Sequence, residues 1–373
     1  MRVIINQYPD WQFSYPLSHI AKEEHLLFFD IETTGLSPKT ASVYLLGCAY
    51  FDNHIFTTKK WFLEHPDEEQ TALVQFFSFL QSFQTLIHFN GNHFDIPFVR
   101  ERAKKYHLPC ALDEMDSFDI FLAAKPLKYL LGLPSCSQKS IEDFLHIHRE
   151  DPYDGGELIA VYKQYLKYGS DNCLKKILLH NEEDLLGMTK IIGILHYRSL
   201  SDCQLTFQTM QHNHYIDFHG SPQEELMLKY THDASIPVPF KVLKEQLFLS
   251  CTKETLCFRI PLSKQSCKLF YENYKDYMFL LKENRCIHKS LASCVDKAYL
   301  RKAAKEDCYE EFHGTVVPLF AKDLQPLLRK NYKDTQYYLP CSALDGSPEV
   351  MEQYARQLLL YFQKRCSKKK ETT

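Results

Sequence analysis

The chain has 373 residues, 45% of them hydrophobic, 24% charged and 14% aromatic, with 44 basic against 47 acidic side chains and a formal net charge of -3. That length exceeds one ordinary core and implies two domains, and that composition excludes a disordered, collagen-like or coiled-coil chain. No apolar run nears the roughly 18 residues of a membrane helix, and the opening Met1-Arg2-Val3-Ile4-Ile5-Asn6-Gln7 lacks the apolar stretch and cleavage site of a signal peptide, so a soluble cytoplasmic protein is expected.

Leu26-Leu27-Phe28-Phe29-Asp30-Ile31 reads as a buried strand, Val43 to Phe51 as a second, and His54 to Phe62 as a third, half-exposed one. Asp67, with Gln70 three residues on, marks a helix start. Ala72, Leu73, Phe76, Phe77 and Leu80 follow at helical spacing. Leu86-Ile87-His88-Phe89 is another strand, stopped by Asn90-Gly91-Asn92, and a helix is expected from about Asp95 to Tyr106. Ser140-Ile141-Glu142-Asp143 opens a further helix, and Leu174 to Leu195 contains a long one. Three strands, then helix, strand and helix describe an α/β mixed sheet whose first three strands form a meander, flanked by helices.

The texture changes near residues 198–205, which separates a domain over 1–200 from a smaller, basic α+β domain over 201–373. Leu256–Ile260 and Lys268–Tyr271 look like short strands, and Ser290 to Lys305 looks helical. Ser347-Pro348-Glu349 is a helix start with Ser at the cap and Pro at the first position. Residues 201–373 carry 25 basic and 21 acidic side chains, residues 1–200 carry 19 and 26. This split suits a metal-gathering first half and a polyanion-holding second half. The run Lys364-Arg365-Cys366-Ser367-Lys368-Lys369-Lys370 adds a basic tail. The 13 cysteines are scattered without a Cys-x-x-Cys pair, which fits reduced thiols used as small apolar residues.

Three stretches carry candidate chemistry. In Phe29-Asp30-Ile31-Glu32-Thr33-Thr34-Gly35-Leu36, Asp30 and Glu32 stand at i and i+2 on a strand and project from one side of it. Two carboxylates held close cost desolvation and repulsion, which a divalent cation reverses. In Asn90-Gly91-Asn92-His93-Phe94-Asp95-Ile96-Pro97, Asp95 sits where a strand has ended and a helix begins. In His180-Asn181-Glu182-Glu183-Asp184, His180 and Asp184 share a helix face at i and i+4. Each also fits a plainer role: a solvated strand end, an N-cap, an acidic helix surface.

Taken together, the order Asp-x-Glu, Asp, His-x-x-x-Asp resembles the DEDD group of 3′–5′ exonucleases within the ribonuclease H-like fold. The segment Leu133-Pro134-Ser135-Cys136-Ser137-Gln138-Lys139-Ser140-Ile141-Glu142, with the Asn-Glu-Glu-Asp after His180, is similar to YprB-type ribonuclease H-like domains. The resemblance covers about residues 25–195. It implies a two-metal phosphodiesterase in which Asp30, Glu32, Asp95 and Asp184 hold two Mg²⁺ or Mn²⁺ ions about 3.5–4 Å apart, with no small-molecule cofactor. It further implies His180 as general base, Thr33 and Asn90 as substrate contacts, and nucleic acid, DNA or RNA with single-stranded 3′ ends, as partner. In this group the third motif is usually Tyr-x-x-x-Asp or His-x-x-x-x-Asp. Here a His stands at the tyrosine-type spacing. Asp119 falls near a recurrent Asp of the YprB-type domains and is expected to cap a helix or brace the local chain. A structure-specific endonuclease and a non-catalytic nucleic-acid-binding protein use the same fold, and both stay open.

In the second half, aromatics and charges interleave over Tyr271–Phe279, and Arg301, Lys302 and Lys305 follow. Such a mix serves as a single-strand platform, with a helix N-terminus near Ser290 for a phosphate. The expected reading is the plainer one, ordinary strands with lysines outside.

Overall fold

The computed structural model describes residues 1–153, 155–216, 219–344 and 347–365. It divides into two compact units, residues 1–128 with 133–198, and residues 129–132 with the chain from 199 onward. The expected basic tail beyond Arg365 lies outside the described residues. No helix among the described residues is long and apolar enough to cross a membrane. The cysteines among them are free thiols, most of them buried.

The first unit carries a mixed sheet of β1 (Arg2–Tyr8), β2 (Leu26–Thr33), β3 (Val43–Asp52), β4 (Ile55–Phe62), β5 (Thr85–His88) and β6 (Asp116–Asp119). Their order is β1-β4-β3-β2-β5-β6. The β2, β3 and β4 strands form the expected antiparallel meander, and β5 and β6 run parallel to β2 and to each other. Two of these strands were unforeseen: β6, which pairs with β5, and β1, which pairs with β4 from Arg2 opposite Phe62 to Tyr8 opposite Phe56. Flanked on both edges, β4 is mostly buried rather than half-exposed.

Six helices cover the sheet: α1 (Glu69–Leu80), α2 (Asp95–Lys105), α3 (Ile120–Ala124), α4 (Gln138–Phe144), α5 (Gly155–Tyr168) and α6 (Asp171–Ile191). Strand alternation sorts what faces them. Leu27, Phe29 and Ile31 join Trp61, Phe76 and Val99 in the core under α1 and α2, where Phe29 and Phe76 stack at 5.2 Å. Tyr44 and Phe62 pack on the other side with Tyr162 of α5 and Ile177 of α6. The odd residues of β2 thus belong to one core, and its even residues Asp30 and Glu32 face away from it.

Local starts differ in detail from expectation. The capping box before α1 is His65 with Glu68, ahead of a short 3₁₀ turn, not Asp67 with Gln70. Ser137, not Ser140, caps α4 by accepting from the Ser140 N–H at 3.2 Å. Ser140 is buried inside that helix.

A buried polar cluster ties α6 to the sheet. Lys60 on β4 pairs with Glu182, which also accepts from Thr58 Oγ1 at 2.8 Å, from Asn6 Nδ2 at 3.0 Å and from Tyr8. Lys60 is only 1% exposed. Removing one partner of a buried pair strands the other's charge, at a cost of about 3–5 kcal/mol. Lys60→Met is therefore expected to destabilise the protein by that amount in urea titrations, and Lys60→Met with Glu182→Gln to recover part of it. Equal losses in the single and double variants would exclude a stranded charge as the cause.

The second unit is mainly β-structure. β7 (Leu205–Ile216), β8 (Pro222–His232), β9 (Phe240–Lys244), β10 (Leu247–Cys251) and β11 (Thr255–Pro261) form an antiparallel sheet in the order β7-β8-β11-β10-β9. Then come β12 (Ser263–Phe270), β13 (Tyr277–Leu280), β14 (Arg285–His288), the four-residue α7 (Lys289–Ala292), β15 (Leu300–Lys302), β16 (Tyr309–Leu319), β17 (Leu328–Arg329), β18 (Tyr337–Pro340) and α8 (Pro348–Gln363). The strands β12, β16, β18 and β17 close a small barrel, and β13 lies between β14 and β15 in a three-stranded sheet. Ser347 caps α8 as expected, accepting from the Val350 N–H at 3.4 Å.

The helix expected over Ser290–Lys305 does not form. After one turn, Ser293-Cys294-Val295-Asp296 breaks it. Asp296 accepts from the Ala298 N–H at 2.9 Å to start a separate turn, and Leu300–Lys302 pairs with β13. The N–H of Ser290 is already taken by His288 Nδ1. The long helix whose N-terminus could have met a phosphate is therefore not formed.

Candidate active site

The site is built where β2 ends. Because Leu27, Phe29 and Ile31 are committed to the core under α1 and α2, Asp30 and Glu32 point to the face that α6 crosses. The register between β2 and β3 shifts between Glu32 and Thr33, leaving Tyr44 as an extra residue between Val43 and Leu45. This bulge re-aims Tyr44, whose hydroxyl donates to Glu32 Oε2 at 3.4 Å while its ring stacks on Tyr162 at 4.1 Å.

Asp95 opens α2 but does not cap it. The preceding residue is Phe94, without a side-chain cap, and Asp95 Oδ1 instead accepts from the backbone N–H of Ile31 at 3.3 Å. That bond holds the third acid against the strand bearing the first two. Asn90, with φ of 59°, makes the turn after β5, and its N–H donates to Asp119 Oδ1 at 2.9 Å. Asp119 also caps α3 by accepting from Phe121, so it has the bracing and capping role expected of it. Thr33 Oγ1 donates to the Gly35 carbonyl at 2.9 Å.

The fourth acid comes from α6. Asp184 Oδ1 meets Arg149 at 2.7 Å, and its Oδ2 stands 3.3 Å from His180 Nε2. That same Nε2 is 3.6 Å from Glu32 Oε1. On the far side of the ring, His180 Nδ1 lies 2.5 Å from Asp151 Oδ2. Glu183 accepts the N–H groups of Glu150 and Asp151 at 2.9 Å each, which fastens the segment before α5 to α6.

Asp30, Glu32, Thr33, Asn90, Asp95, His180 and Asp184 all line one hollow of about 780 Å³. Phe89, Phe94, Phe121 and Leu36 supply its apolar wall. Burial, and then the neighbouring charges of Asp184, Asp95 and Glu32, push Asp30 well above the usual carboxylate range. Burial first, with Asp184 and Asp95 next, does the same to Glu32. Burial pushes Asp95 up to about 7, although the N–H groups it accepts pull the other way. Three acids whose ionisation is opposed by burial and by one another make a cage that a cation would let ionise. Glu32, His180 and Asp184 place ligand atoms within 4.8 Å of one another. Carboxylate oxygens in this arrangement could hold a hard divalent cation.

Four residues of the site were not read from sequence: Tyr44, Arg149, Asp151 and Asn181. Asn181 is fully buried and donates from Nδ2 to Asp30 Oδ2 at 2.8 Å. Its room is made by Gly47 on β3, where a Cβ would stand 2.1 Å from Asn181 Oδ1. A glycine inside an apolar strand marks such a close approach, and that signal could have found Asn181. Gly47→Ala is expected to displace Asn181, lower stability by about 1–3 kcal/mol and weaken divalent-metal binding by releasing Asp30. Calorimetry with and without Mn²⁺ measures both; a variant that binds Mn²⁺ as the parent does would uncouple Gly47 from the site.

Comparison with known proteins places residues 27–196 in a match to the family model described as the RNase H superfamily. The uncharacterized protein YprB of Bacillus subtilis (strain 168) is 31% identical over 184 residues, 48% of this chain and 44% of that protein. The chain thus spans less than half the length of that relative. Among solved structures, the zinc-bound E. coli ExoI–ssDNA complex is 12% identical with a TM-score of 0.28, over 57% of this chain and 55% of that one. The family B DNA polymerase of Pyrobaculum calidifontis is 10% identical with a TM-score of 0.37, over 91% and 46%.

Proposed function

We propose, from the match of residues 27–196 to the RNase H superfamily model and from the site's geometry, that the protein is a divalent-metal-dependent nuclease acting as a 3′–5′ exonuclease on DNA or RNA. One observation carries the reading: Asp30, Glu32, Asp95 and Asp184, from three separate segments, line a single hollow in which burial and mutual repulsion push the first three up. Such an arrangement costs folding energy unless cations repay it.

Two Mg²⁺ or Mn²⁺ ions held by these four acids would activate a water and offset the charge on the departing 3′ oxygen. The chain's own groups do the rest. Arg149 fixes Asp184 through Oδ1 and leaves Oδ2 turned into the cage. Asn181 holds Asp30, and Tyr44 holds Glu32. Asn90 and Thr33 border the hollow where a substrate's sugar and phosphate would lie, and Phe89, Phe121 and Leu36 offer apolar surface to a base. His180 presents Nε2 to two carboxylates, where a lone pair could take a proton from the attacking water or bind an ion.

We extend the proposal to the second unit as a nucleic-acid contact surface. The Arg329 guanidinium lies 5.0, 4.8 and 5.3 Å from the rings of Phe270, Tyr332 and Tyr337, the mix of cations and aromatics that single strands use.

The test gives the purified protein end-labelled linear and circular single strands with Mn²⁺. Stepwise shortening from 3′ ends is the expected result. Cutting of circles would make it an endonuclease, and binding without cleavage would leave a binding protein with a nuclease fold.

A further inference from the structure

We propose that His180 is a metal ligand through Nε2, oriented by Asp151 as a positioning residue, and that the site accordingly favours Mn²⁺ over Mg²⁺. This rests on the nuclease reading and adds to its four carboxylates a nitrogen donor.

Three features of the site converge. First, Nε2 is 3.3 Å from Asp184 Oδ2 and 3.6 Å from Glu32 Oε1. A cation among those three atoms meets one nitrogen and two oxygens without rearrangement of the fold. Second, the other ring nitrogen is engaged. Asp151 is 9% exposed, and its Oδ2 lies 2.5 Å from Nδ1. A carboxylate accepts, so Nδ1 carries the hydrogen and Nε2 is left to present a lone pair toward the cage. A carboxylate behind the imidazole is the usual support of a histidine that binds a metal, because it sets the tautomer and ring plane and makes the donor more basic. Third, Asp151 is itself fixed. Its Oδ1 accepts the Tyr153 N–H at 3.2 Å, and its own N–H is held by Glu183, one residue before Asp184 on α6.

The spacing agrees. His180 and Asp184 are i and i+4 on α6, so they form a chelating pair on one helix face. From that position the ring cannot swing away from the acids without leaving Asp151. The imidazole is thus built into the cage wall, with Nε2 beside Glu32 and Asp184. Nitrogen donors raise affinity for first-row transition metals over Mg²⁺, which takes oxygen ligands.

The test uses the full-length chain with Mn²⁺ alone and no nucleic acid. Pulsed electron paramagnetic resonance reads whether a nitrogen couples to the bound Mn²⁺. A histidine coupling is expected, changing its pattern when histidine is ¹⁵N-labelled and vanishing in His180→Ala. Labelling needs no substitution, so it stands even if the variant folds poorly. Asp151→Asn is expected to weaken Mn²⁺ binding by about 10- to 100-fold, with a smaller loss for Mg²⁺ in the same calorimetric titration. Mn²⁺ that binds with no nitrogen coupling would overturn the ligand assignment and leave the nuclease reading standing. Full coupling retained in His180→Ala would do the same. Failure to bind Mn²⁺ at all would take down both.

Discussion

Asp30→Asn is expected to abolish cleavage while raising the melting temperature of the metal-free protein. Both effects come from one carboxylate. Asp30 lies in the floor of the hollow, with the charges of Asp184, Asp95 and Glu32 around it. An amide of the same shape removes a hard anionic ligand from the paired-ion site. A metal's share in stabilising transition-state charge is worth several kcal/mol, and each 1.36 kcal/mol is about a decade in rate. The loss in single-turnover cleavage should therefore be about a thousandfold or more. Without metal, the same change removes the cost of holding a buried acid among like charges, whether it keeps its charge or captures a proton, and leaves a neutral group that still meets Asn181. A gain of about 1 kcal/mol would raise the melting temperature by roughly 2–4 °C. The measurements are cleavage of end-labelled oligonucleotide with Mn²⁺ and calorimetry in chelator. Undiminished cleavage would remove Asp30 from the chemistry. A lower melting temperature in chelator would mean that its carboxylate is stabilised by something other than metal.

How much of this was legible depends on the range of the interactions. The sidedness of Asp30 and Glu32 was legible because alternation along β2 is a local property, and the apolar residues between them declare which face is core. The start of α8 was legible for the same reason, since a Ser cap and a following Pro act within one turn. Asp95 was legible as a neighbour of Asp30 and Glu32, with which it lines the hollow, but its plainer role was misread. A cap is local, whereas its actual bond to the Ile31 N–H crosses 64 residues. The edge strand β1 went unseen because Arg2–Tyr8 is mostly exposed and becomes a strand only by pairing with β4. Asp151 and Asn181 went unseen because nothing beside them marks a partner. Each acquires its meaning from one atom on another element, His180 Nδ1 or Asp30 Oδ2. The expected helix over Ser290–Lys305 failed for the converse reason. Local capping by His288 and Asp296, with pairing of Leu300–Lys302 to β13, outweighed a weak helical pattern.

The cage acids should cost the metal-free protein stability as pH rises from about 4 to 7, and saturating Mn²⁺ should restore it. A group whose folded pKa lies above its unfolded value binds its proton more tightly when folded. Its stabilising contribution is complete below the unfolded value, about 4 for these acids, and is lost as pH climbs through the folded value. Asp95, pushed up to about 7, places that loss between roughly pH 4 and 7. Asp30 and Glu32 shift in the same direction and add to it. Other acids oppose the trend. Arg2 and the N-terminal ammonium pull Glu64 down, and Arg301 does the same to Asp307, so the total curve mixes both signs. The comparison that isolates the cage is wild type against Asp95→Asn in chelator from pH 4.5 to 8. The wild type should be the more stable at the acid end and lose that advantage, or reverse it, by pH 8. Adding Mn²⁺ at pH 7.5 to about 100 times its dissociation constant stabilises by about 2.7 kcal/mol, which corresponds to roughly 5–10 °C. The gain should shrink at pH 5, where protons compete for the same oxygens. Parallel curves for the two proteins in chelator would show that Asp95 ionises as freely in the fold as outside it. The cage would then carry no excess charge for a cation to answer, and the strongest physical reason for placing metal there would be gone.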